Sequence, residues 1–285
     1  MMRAAALALL SAATAHAGPA AWHVTNPEGA ELWLLGSVHY LRERDYPLPA
    51  LVDELYGRAD VIVMELDLDD IDPLRSQSQF LAAAMLTGGA TLPDVLSSEV
   101  YSLAEARAGT LGIDLALLER FEPWLVAITM LDLGMGQLGY RADRGLEQYL
   151  LNKASTDGKE ILGLETLETQ IAVFDGLAVA EQEALLVQTL TELDSADEAM
   201  TQMIEAWRTG RLDALAATLM DEFESFPDLY AALVVERNTS WIATLEELLA
   251  KPESHLVVVG ALHLVGEHNV VDLLATRGLT ISPVQ

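Results

Sequence analysis

The chain has 285 residues, of which 51% are hydrophobic and 21% are charged, a composition typical of a folded protein with a substantial core rather than of a disordered chain. Its formal net charge of -28 repels polyphosphates, so we expect no nucleic-acid partner, and such acidity more often marks a solvated or salt-adapted surface than a substrate preference. There is no cysteine, which excludes disulfides, thiolate metal sites and a cysteine nucleophile.

The first seventeen residues predict an export signal. Arg3 is a short basic start, an Ala/Leu run follows, and Ala15-His16-Ala17 matches a small-x-small cleavage site. We therefore expect the mature chain to begin near Gly18 and to be periplasmic or secreted. A helix that is retained in the fold is the alternative. No later stretch offers the roughly twenty uninterrupted apolar residues of a membrane span, so we expect none.

The strands are predicted near both ends of the chain, and helices fill the middle. A hairpin is expected at 22–25 and 31–35, joined by the turn Asn26-Pro27-Glu28-Gly29. The continuous apolar run at 61–67 predicts a strand buried on both faces, and further strand-like runs lie at 160–164, 256–259 and 279–282. Apolar residues every three or four positions predict helices at 51–58, 74–86, 97–108, 115–133, 146–154, 167–174, 180–194, 196–208, 214–223, 230–250 and 263–277.

This order of elements predicts an α/β fold. We expect one central mixed sheet, built from N- and C-terminal strands and flanked by helices, with a helical insertion in the middle of the chain. The sequence contains no Pro/Ser-rich linker and no periodic repeat, so we expect a single domain over residues 18–285.

Two eight-residue segments far apart in the chain are nearly the same. Residues 32–39 read LWLLGSVH and residues 256–263 read LVVVGALH. A buried strand that ends in this way places its histidine just past the carboxyl end of the strand, where open α/β sheets form their ligand crevice. One such histidine is more often structural, but the duplicated context favours a functional role for His39 and His263. Two neighbouring strands would direct both rings into one crevice.

Carboxylates occur at the same kind of position. Glu65 ends the strand VIVM, and Glu165 ends the strand ILGL. Two imidazoles and two carboxylates at strand ends predict a divalent-metal site or an acid/base site, and they suit Zn, Mn, Co or Fe. Asp67 is better explained as a cap of the following turn. Arg237 is explained equally well as a surface residue or as a group that holds a carboxylate or an oxyanion.

Other signals are weaker. Gly134 to Gly139 match a dinucleotide-binding string but lack its strand-turn-helix context. Ser37 stands near His39, yet nothing in the sequence identifies a catalytic triad. The histidines at 23 and 255 are expected at the surface or at strand edges, and His268 is expected to take no part in the site.

Six segments resemble, in their order and approximate spacing, the TraB/GumN family, which includes the TIKI proteases and shares a fold with ChaN-like and erythromycin-esterase-like proteins. They span residues 20 to 284: Gly36-Ser-Val-His39, VIVMELD with Glu65, Gly139-Tyr140 followed by Gly145-Leu-Glu147-Gln-Tyr-Leu, Gly163-Leu-Glu165-Thr with Gln170, Arg237-Asn238 with Trp241, and Gly260-Ala-Leu-His263. A single Gly-x-x-His would mean little, but the ordered set is specific.

The resemblance implies metal-dependent peptidase chemistry with Mn or Co as the ion. It implies that His39 and His263 are metal ligands or direct neighbours of the ion, and that Glu65 is a ligand or a general base. It further implies a second carboxylate at Glu165 and a clamp for the substrate or transition state at Arg237.

The sequence departs from the family at Glu147, where an Asp is expected, so a direct role for Glu147 stays open. The leading hypothesis is an exported metal-dependent hydrolase, a TIKI-like metallopeptidase that acts on a peptide or protein substrate. The alternatives are a periplasmic haem- or metal-binding protein without catalysis, as the ChaN-like resemblance permits, and a metal-independent esterase with a histidine as general base. No oligomeric state is predicted.

Overall fold

The computed structural model describes residues 18–221, 223 and 226–284, and the expected export signal lies outside them. The strands are β1 (Ala21–Thr25), β2 (Glu31–Ser37), β3 (Val61–Leu66), β4 (Glu160–Glu165), β5 (His255–Gly260) and β6 (Thr280–Pro283). The helices are α1 (Ala50–Arg58), α2 (Pro73–Ala83), α3 (Leu92–Val95), α4 (Ser98–Leu111), α5 (Pro123–Gln137), α6 (Leu146–Asp157), α7 (Leu167–Asp175), α8 (Val179–Glu192), α9 (Ala196–Arg208), α10 (Leu212–Asp221), α11 (Pro227–Tyr230), α12 (Arg237–Leu249) and α13 (Val270–Ala275).

The six strands form one mixed sheet in the order β4-β3-β5-β2-β1-β6. The four strands β4, β3, β5 and β2 are parallel, whereas β1 runs antiparallel to both of its neighbours. The predicted α/β class, with a central mixed sheet flanked by helices, is therefore confirmed. The likeness to ChaN-like and erythromycin-esterase-like folds and the single-domain organisation stay predictions.

The two repeated segments lie side by side. Strands β2 and β5 pair in parallel, with Gly36 opposite Val259 and Ser37 opposite Gly260. Every residue of β5 is buried, as expected of a parallel strand covered on both faces. Because parallel strands end at the same edge, the segments that carry His39 and His263 leave the sheet next to each other.

The helices of the middle of the chain build a second core. The sheet packs with α1, α6, α9 and α12 in the main core, whereas α3, α4, α5 and α8 enclose a separate group of buried side chains that includes Leu92, Ala104, Val126, Leu186 and Leu190. These helices lie in the middle of the chain, and their description as an insertion into the α/β fold stays a prediction. Within the described part of the chain, no helix is long and apolar enough to cross a membrane.

Two predicted helices are wrong in extent. The helix expected at 115–133 is a short 3-10 turn, Leu115–Leu118, followed by α5, which begins at Pro123. Proline is favoured at the first helical position and forces the residue before it out of the helical region. The helix expected at 263–277 is reduced to α13, because Gly266 and His268 have φ of 80° and 55°, and Asn269 then caps the new helix by accepting a hydrogen bond from the backbone of Asp272 at 2.8 Å.

Candidate active site at the carboxyl edge of the sheet

Gly260, the last residue of β5, lies at the centre of the candidate site. A Cβ added to Gly260 would lie 3.2 Å from Nε2 of His39, 3.4 Å from Oε1 of Glu65 and 3.6 Å from Cδ2 of His263. The site thus brings together the three side chains that the sequence analysis expected around an ion. A side chain here would press on His39, contact Glu65 and His263, and occupy the space between the three groups, which glycine leaves open.

His39 is the accessible member of the group. Its side chain is 59% exposed, and its Nδ1 lies 2.8 Å from Oε1 of Glu147. Its Nε2 forms no hydrogen bond with any residue that the structure describes. The negative charge of Glu147 outweighs the opposing effect of partial burial and raises the pKa of His39 to about 9.

Glu147, whose role the sequence left open, is held against His39 by the start of α6. Gly145 precedes this helix, and a Cβ on Gly145 would collide with the carbonyl oxygen of His39. The backbone N–H of Leu146 donates to the carbonyl of Val38 at 3.1 Å, which fixes the helix against the end of β2. The glycine before Glu147 was a sequence signal for this close approach.

The Glu147 carboxylate also accepts a hydrogen bond from the Ser37 hydroxyl. Burial alone would raise the pKa of Glu147, but His39 and Ser37 outweigh it, so its pKa lies below the usual range. Ser37 is 3% exposed and its hydroxyl is directed at Glu147, which agrees with setting Ser37 aside as a nucleophile. Together Ser37 and Glu147 hold the His39 ring with its Nε2 facing Gly260.

Glu65 is a carboxylate that is largely shielded from water and has three hydrogen-bond donors around it. Its Oε1 accepts the backbone N–H of Gly260 at 2.8 Å, and its Oε2 accepts from Nη2 of Arg237 at 2.5 Å and from Nε2 of Gln170 at 3.3 Å. Burial raises the pKa of Glu65, but the positive charges of His263, when protonated, and of Arg237 outweigh it and lower the pKa to about 2.

Arg237 joins the two glutamates. Its Nη2 donates to Glu165 at 2.6 Å as well as to Glu65, and its Nε lies 3.1 Å from both oxygens of Glu165. The indole Nε1 of Trp241 donates to the same Glu165 at 3.1 Å. Burial opposes the charge of Arg237, but the hydrogen bonds and charges of the two glutamates raise its pKa. In this arrangement Glu165 is a structural partner of Arg237, and its predicted role as a second catalytic carboxylate stays a prediction.

His263 is buried and neutral at neutral pH. Its Nδ1 lies 2.6 Å from Oδ1 of Asn238, and the Asn238 amide is oriented because its Nδ2 donates to the carbonyl of His268 at 2.9 Å. The network therefore assigns the proton of His263 to Nδ1. Burial, with the nearby charge of Arg237, lowers the pKa of His263 to about 4. His268, which was expected to take no part, contributes its backbone carbonyl.

The lone pair of His263 at Nε2 already has a partner. Nη1 of Arg237 lies 3.1 Å away, whereas Oε1 of Glu65 is 3.8 Å away. Within residues 18–221, 223 and 226–284, no three His, Cys, Asp or Glu side chains are grouped as a metal site. With Arg237 in this position, the side chains do not fit a divalent ion held by His39, His263 and Glu65.

A widened helical turn precedes Arg237. Residues Ala231–Glu236 form a π-helix, and the Leu233 carbonyl in it accepts a hydrogen bond from Nη1 of Arg237 at 2.9 Å. Such turns are frequent at functional sites because the extra residue re-aims side chains. Apolar periodicity predicted an uninterrupted helix at 230–250 and could not reveal this turn.

Asp67 lies just outside the group. Its carboxylate accepts a hydrogen bond from the backbone of Asp70, as expected of a turn cap, while its Oδ1 is buried without a partner among the described residues. Burial, together with the neighbouring Asp69, raises the pKa of Asp67 to about 6. It lines a cavity of about 290 Å³ that also borders Glu165.

Comparison with known proteins supports a family assignment. The model of the TraB/PrgY/gumN family matches residues 20–283. The uncharacterized protein YbaP of Escherichia coli (strain K12) is 28% identical over 252 residues, which cover 88% of this chain and 90% of that protein. An uncharacterized protein of Treponema pallidum (strain Nichols) is 21% identical over 271 residues, which cover 90% of this chain and 80% of that protein.

One similar protein is named for an enzymatic activity. Metalloprotease TIKI2 of Danio rerio is 23% identical over 313 residues, which cover 91% of this chain and 60% of that protein. No solved structure matches the chain significantly.

Proposed function

This chain belongs to the TraB/PrgY/gumN family, and from that premise we propose that it is a hydrolase that cleaves peptide bonds at the site around Gly260. The similarity to a metalloprotease supports the reaction class and the peptide substrate. The six segments that resemble the family all supply residues to this site or to its immediate supports.

One observation carries the proposal. The accessible Nε2 of His39 has no hydrogen bond to a described residue. It lies 3.2 Å from the position that a Cβ of residue 260 would occupy, and Oε1 of Glu65 lies 3.4 Å from that position. A histidine nitrogen that can exchange a proton and an ionised carboxylate at one accessible point are the groups that hydrolysis of an amide or ester needs, because water must lose a proton as it attacks and the leaving group must gain one.

His39 is the proton-transfer group of the proposal. Glu147 binds its Nδ1, which leaves Nε2 as the atom that exchanges protons with water and with the leaving amine. The unprotonated fraction grows as the pH rises toward the pKa of about 9, so activity limited by the base form of His39 should increase over that range.

Glu65 orients the attacking water rather than accepting its proton. A pKa of about 2 makes Glu65 a poor base at neutral pH, since proton transfer is most effective from groups with a pKa near the working pH. Its Oε1 accepts one N–H, from Gly260, and a carboxylate oxygen has a second lone pair that can accept a hydrogen bond from water.

Arg237 supports the site from within. Each of its N–H groups has an acceptor inside the protein, so the predicted oxyanion clamp would require it to release one of these partners. The Mn or Co ion that the resemblance implies stays a proposal as well. The steps assigned to His39 and Glu65 use no metal, and the contacts of His263 favour the metal-independent form of the hydrolase.

The test compares two exposed histidines. His39→Ala should lower kcat/KM on an unfolded, dye-labelled protein substrate by about 100-fold or more, the usual effect of losing an acid/base group. His23→Ala is the matched control, because His23 is also a partly exposed ring paired with a glutamate, Glu31, at 2.7 Å. Full activity of the His39→Ala variant would refute the proposal.

The same assay separates the alternatives. Activity that is lost on chelation and restored by Mn or Co would support the metallopeptidase. Activity that survives chelation would support the metal-independent hydrolase. Turnover of esters but not of peptides would indicate an esterase. Uptake of haem with a visible absorbance band and without turnover would instead support a binding protein.

We also propose export, with processing near Gly18, on the strength of residues 1–17.

A further inference from the structure

The guanidinium of Arg237 lies among three groups of the kind that bind metal ions. Its Nη2 donates to Oε2 of Glu65 at 2.5 Å and to Oε1 of Glu165 at 2.6 Å, and its Nη1 lies 3.1 Å from Nε2 of His263. Two carboxylates and one imidazole suit Mn, Co, Fe and Zn. The guanidinium contacts donor atoms of all three groups at the same time.

The guanidinium is fully engaged in this position. Its Nε lies 3.1 Å from both oxygens of Glu165, and the second hydrogen of Nη1 is directed to the Leu233 carbonyl at 2.9 Å. A guanidinium has five N–H donors, and all five have acceptors here. The ring of Trp241 packs 4.9 Å from the guanidinium carbon. These contacts hold Arg237 in one geometry.

The pocket requires a cation. The side chains of Arg237, Glu65 and Glu165 are only 10%, 15% and 5% exposed. Two carboxylates shielded from water are costly to keep ionised unless a positive charge pairs with them. The guanidinium of Arg237 is the cation in contact with both carboxylates, whereas Nδ1 of His263 contacts Asn238 and its Nε2 contacts Nη1 of Arg237.

We infer that Arg237 is the resident cation of a pocket formed by Glu65, Glu165 and His263, and that a divalent ion binds these three groups only when the guanidinium leaves. An ion and the guanidinium need the same donor atoms, so their binding is mutually exclusive. The affinity for the ion is reduced by the small fraction of molecules in which Arg237 has moved out. This inference concerns which cation fills the pocket and holds whether or not the protein is a hydrolase.

Two variants of Arg237 test the inference by titration with Mn²⁺ alone. Arg237→Ala removes the charge and leaves space, so it should bind one Mn²⁺ per chain at least tenfold more tightly than the wild type. Arg237→Lys retains a positive charge and should remain within a few-fold of the wild type. Equal Mn²⁺ affinity of the wild type and Arg237→Ala would overturn the inference.

A further substitution identifies the ligands. In the Arg237→Ala background, His263→Ala should lower the gained affinity again, because it removes the imidazole donor. If affinity is unchanged by loss of His263, the ion binds elsewhere and the inference fails. Arg211→Met is the control for loss of an arginine, because Arg211 forms an exposed ion pair with Glu205; it should leave Mn²⁺ binding unchanged.

A measurement on the wild type remains decisive if Arg237→Ala does not fold. The His263 signals in ¹⁵N-histidine spectra are assigned by comparison with a His263→Gln variant. Added Zn²⁺ should leave the resonance of His263 Nε2 in place, even where the ion shifts the signals of the exposed His39 ring. A metal-bound shift of His263 Nε2 in the wild type at an ion concentration near that of the protein would show that Arg237 does not exclude the ion.

Discussion

The pair of Glu147 and His39 shows how one partly buried carboxylate determines the protonation state of an exposed ring. The Nδ1–Oε1 distance is 2.8 Å, and Ser37 donates to the same carboxylate. The charge of Glu147 stabilises the imidazolium form, so the ring remains protonated to higher pH than a free histidine. The same contact orients Nε2 toward Gly260, so charge and position are controlled by a single residue.

Replacement of Glu147 by Gln should therefore lower the pKa of His39 from about 9 toward the usual histidine value of about 6.5. The amide retains a hydrogen-bond acceptor but removes the negative charge. An NMR titration of the His39 ring measures the pKa directly, and the rise of activity with pH should move to lower pH by the same amount. Glu31→Gln, which changes a carboxylate beside β1, should leave the titration of His39 unchanged.

The raised pKa also sets the pH dependence of stability. Because the folded-state pKa of His39 lies above its unfolded value, the pair stabilises the fold fully below about pH 6.5 and loses this contribution as the pH rises through about 9. The difference in unfolding free energy between the wild type and Glu147→Gln should thus shrink from pH 6.5 to pH 9. An unchanged His39 pKa in Glu147→Gln would contradict this account of the pair.

Strand β5 brings the site together at the scale of the elements. It lies between β3 and β2, so the residues after β2 supply His39, the end of β3 supplies Glu65, and the turn after β5 supplies His263. Trp207 of α9 donates its indole N–H to the Gly36 carbonyl at 2.7 Å, which holds the end of β2 in place. The glycine at the end of β5 leaves the space in which the three side chains meet.

Gly260→Ala should reduce activity at least tenfold, because the new methyl group would lie 3.2 Å and 3.4 Å from the reactive atoms of His39 and Glu65. It should also destabilise the fold by about 1 kcal/mol, as expected of overpacking. Activity and urea denaturation measure the two effects.

The matched substitution is Gly109→Ala in α4. No atom lies within 4 Å of a Cβ at Gly109, and Gly109 is an exposed helical residue, so alanine should stabilise the fold by about 0.5 to 1 kcal/mol and leave activity intact. Full activity of Gly260→Ala would show that the space above Gly260 is not used by the reaction.

The net charge of -28 acts on the whole molecule. Forty-four acidic and sixteen basic residues leave most carboxylates without a basic partner, and self-repulsion of this kind destabilises a compact state. Added salt also weakens exposed ion pairs, such as Arg141 with Asp143, and this weakening lowers the stability of the fold. Each exposed pair contributes at most about 1 kcal/mol. Repulsion should therefore dominate the response to ionic strength.

The melting temperature should rise when NaCl is increased from 0.01 M to 0.15 M, since the screening length falls from about 30 Å to about 8 Å. Relief of 1 kcal/mol of repulsion corresponds to about 2–4 °C for a chain of this size. Calorimetry measures the shift. Choline chloride at equal ionic strength should have the same effect, whereas a flat or falling melting temperature would show that ion pairs, and not repulsion, control the response.

The sequence determined the class of fold and the edge of the sheet at which the site lies. Continuous apolar runs predict strands that are buried on both faces. The repeated segments 32–39 and 256–263 indicate where two such strands end. These are local properties, since burial and strand direction follow from residues that are adjacent in the chain. The pairing of β2 with β5 confirmed the expectation that His39 and His263 leave the sheet next to each other.

Only the tertiary structure decided what each side chain binds. Glu147 lies 108 positions from its partner His39 along the sequence, and Arg237 lies 72 positions from Glu165, so their contacts depend on how α6 and α12 pack against the sheet. Apolar periodicity contains no information on these packings or on the π-helix before Arg237. The sequence thus indicated the charged groups of the candidate site, but the partner of each charge depends on distances in the folded chain. In the structure His39 pairs with Glu147, and Glu65 and Glu165 pair with Arg237.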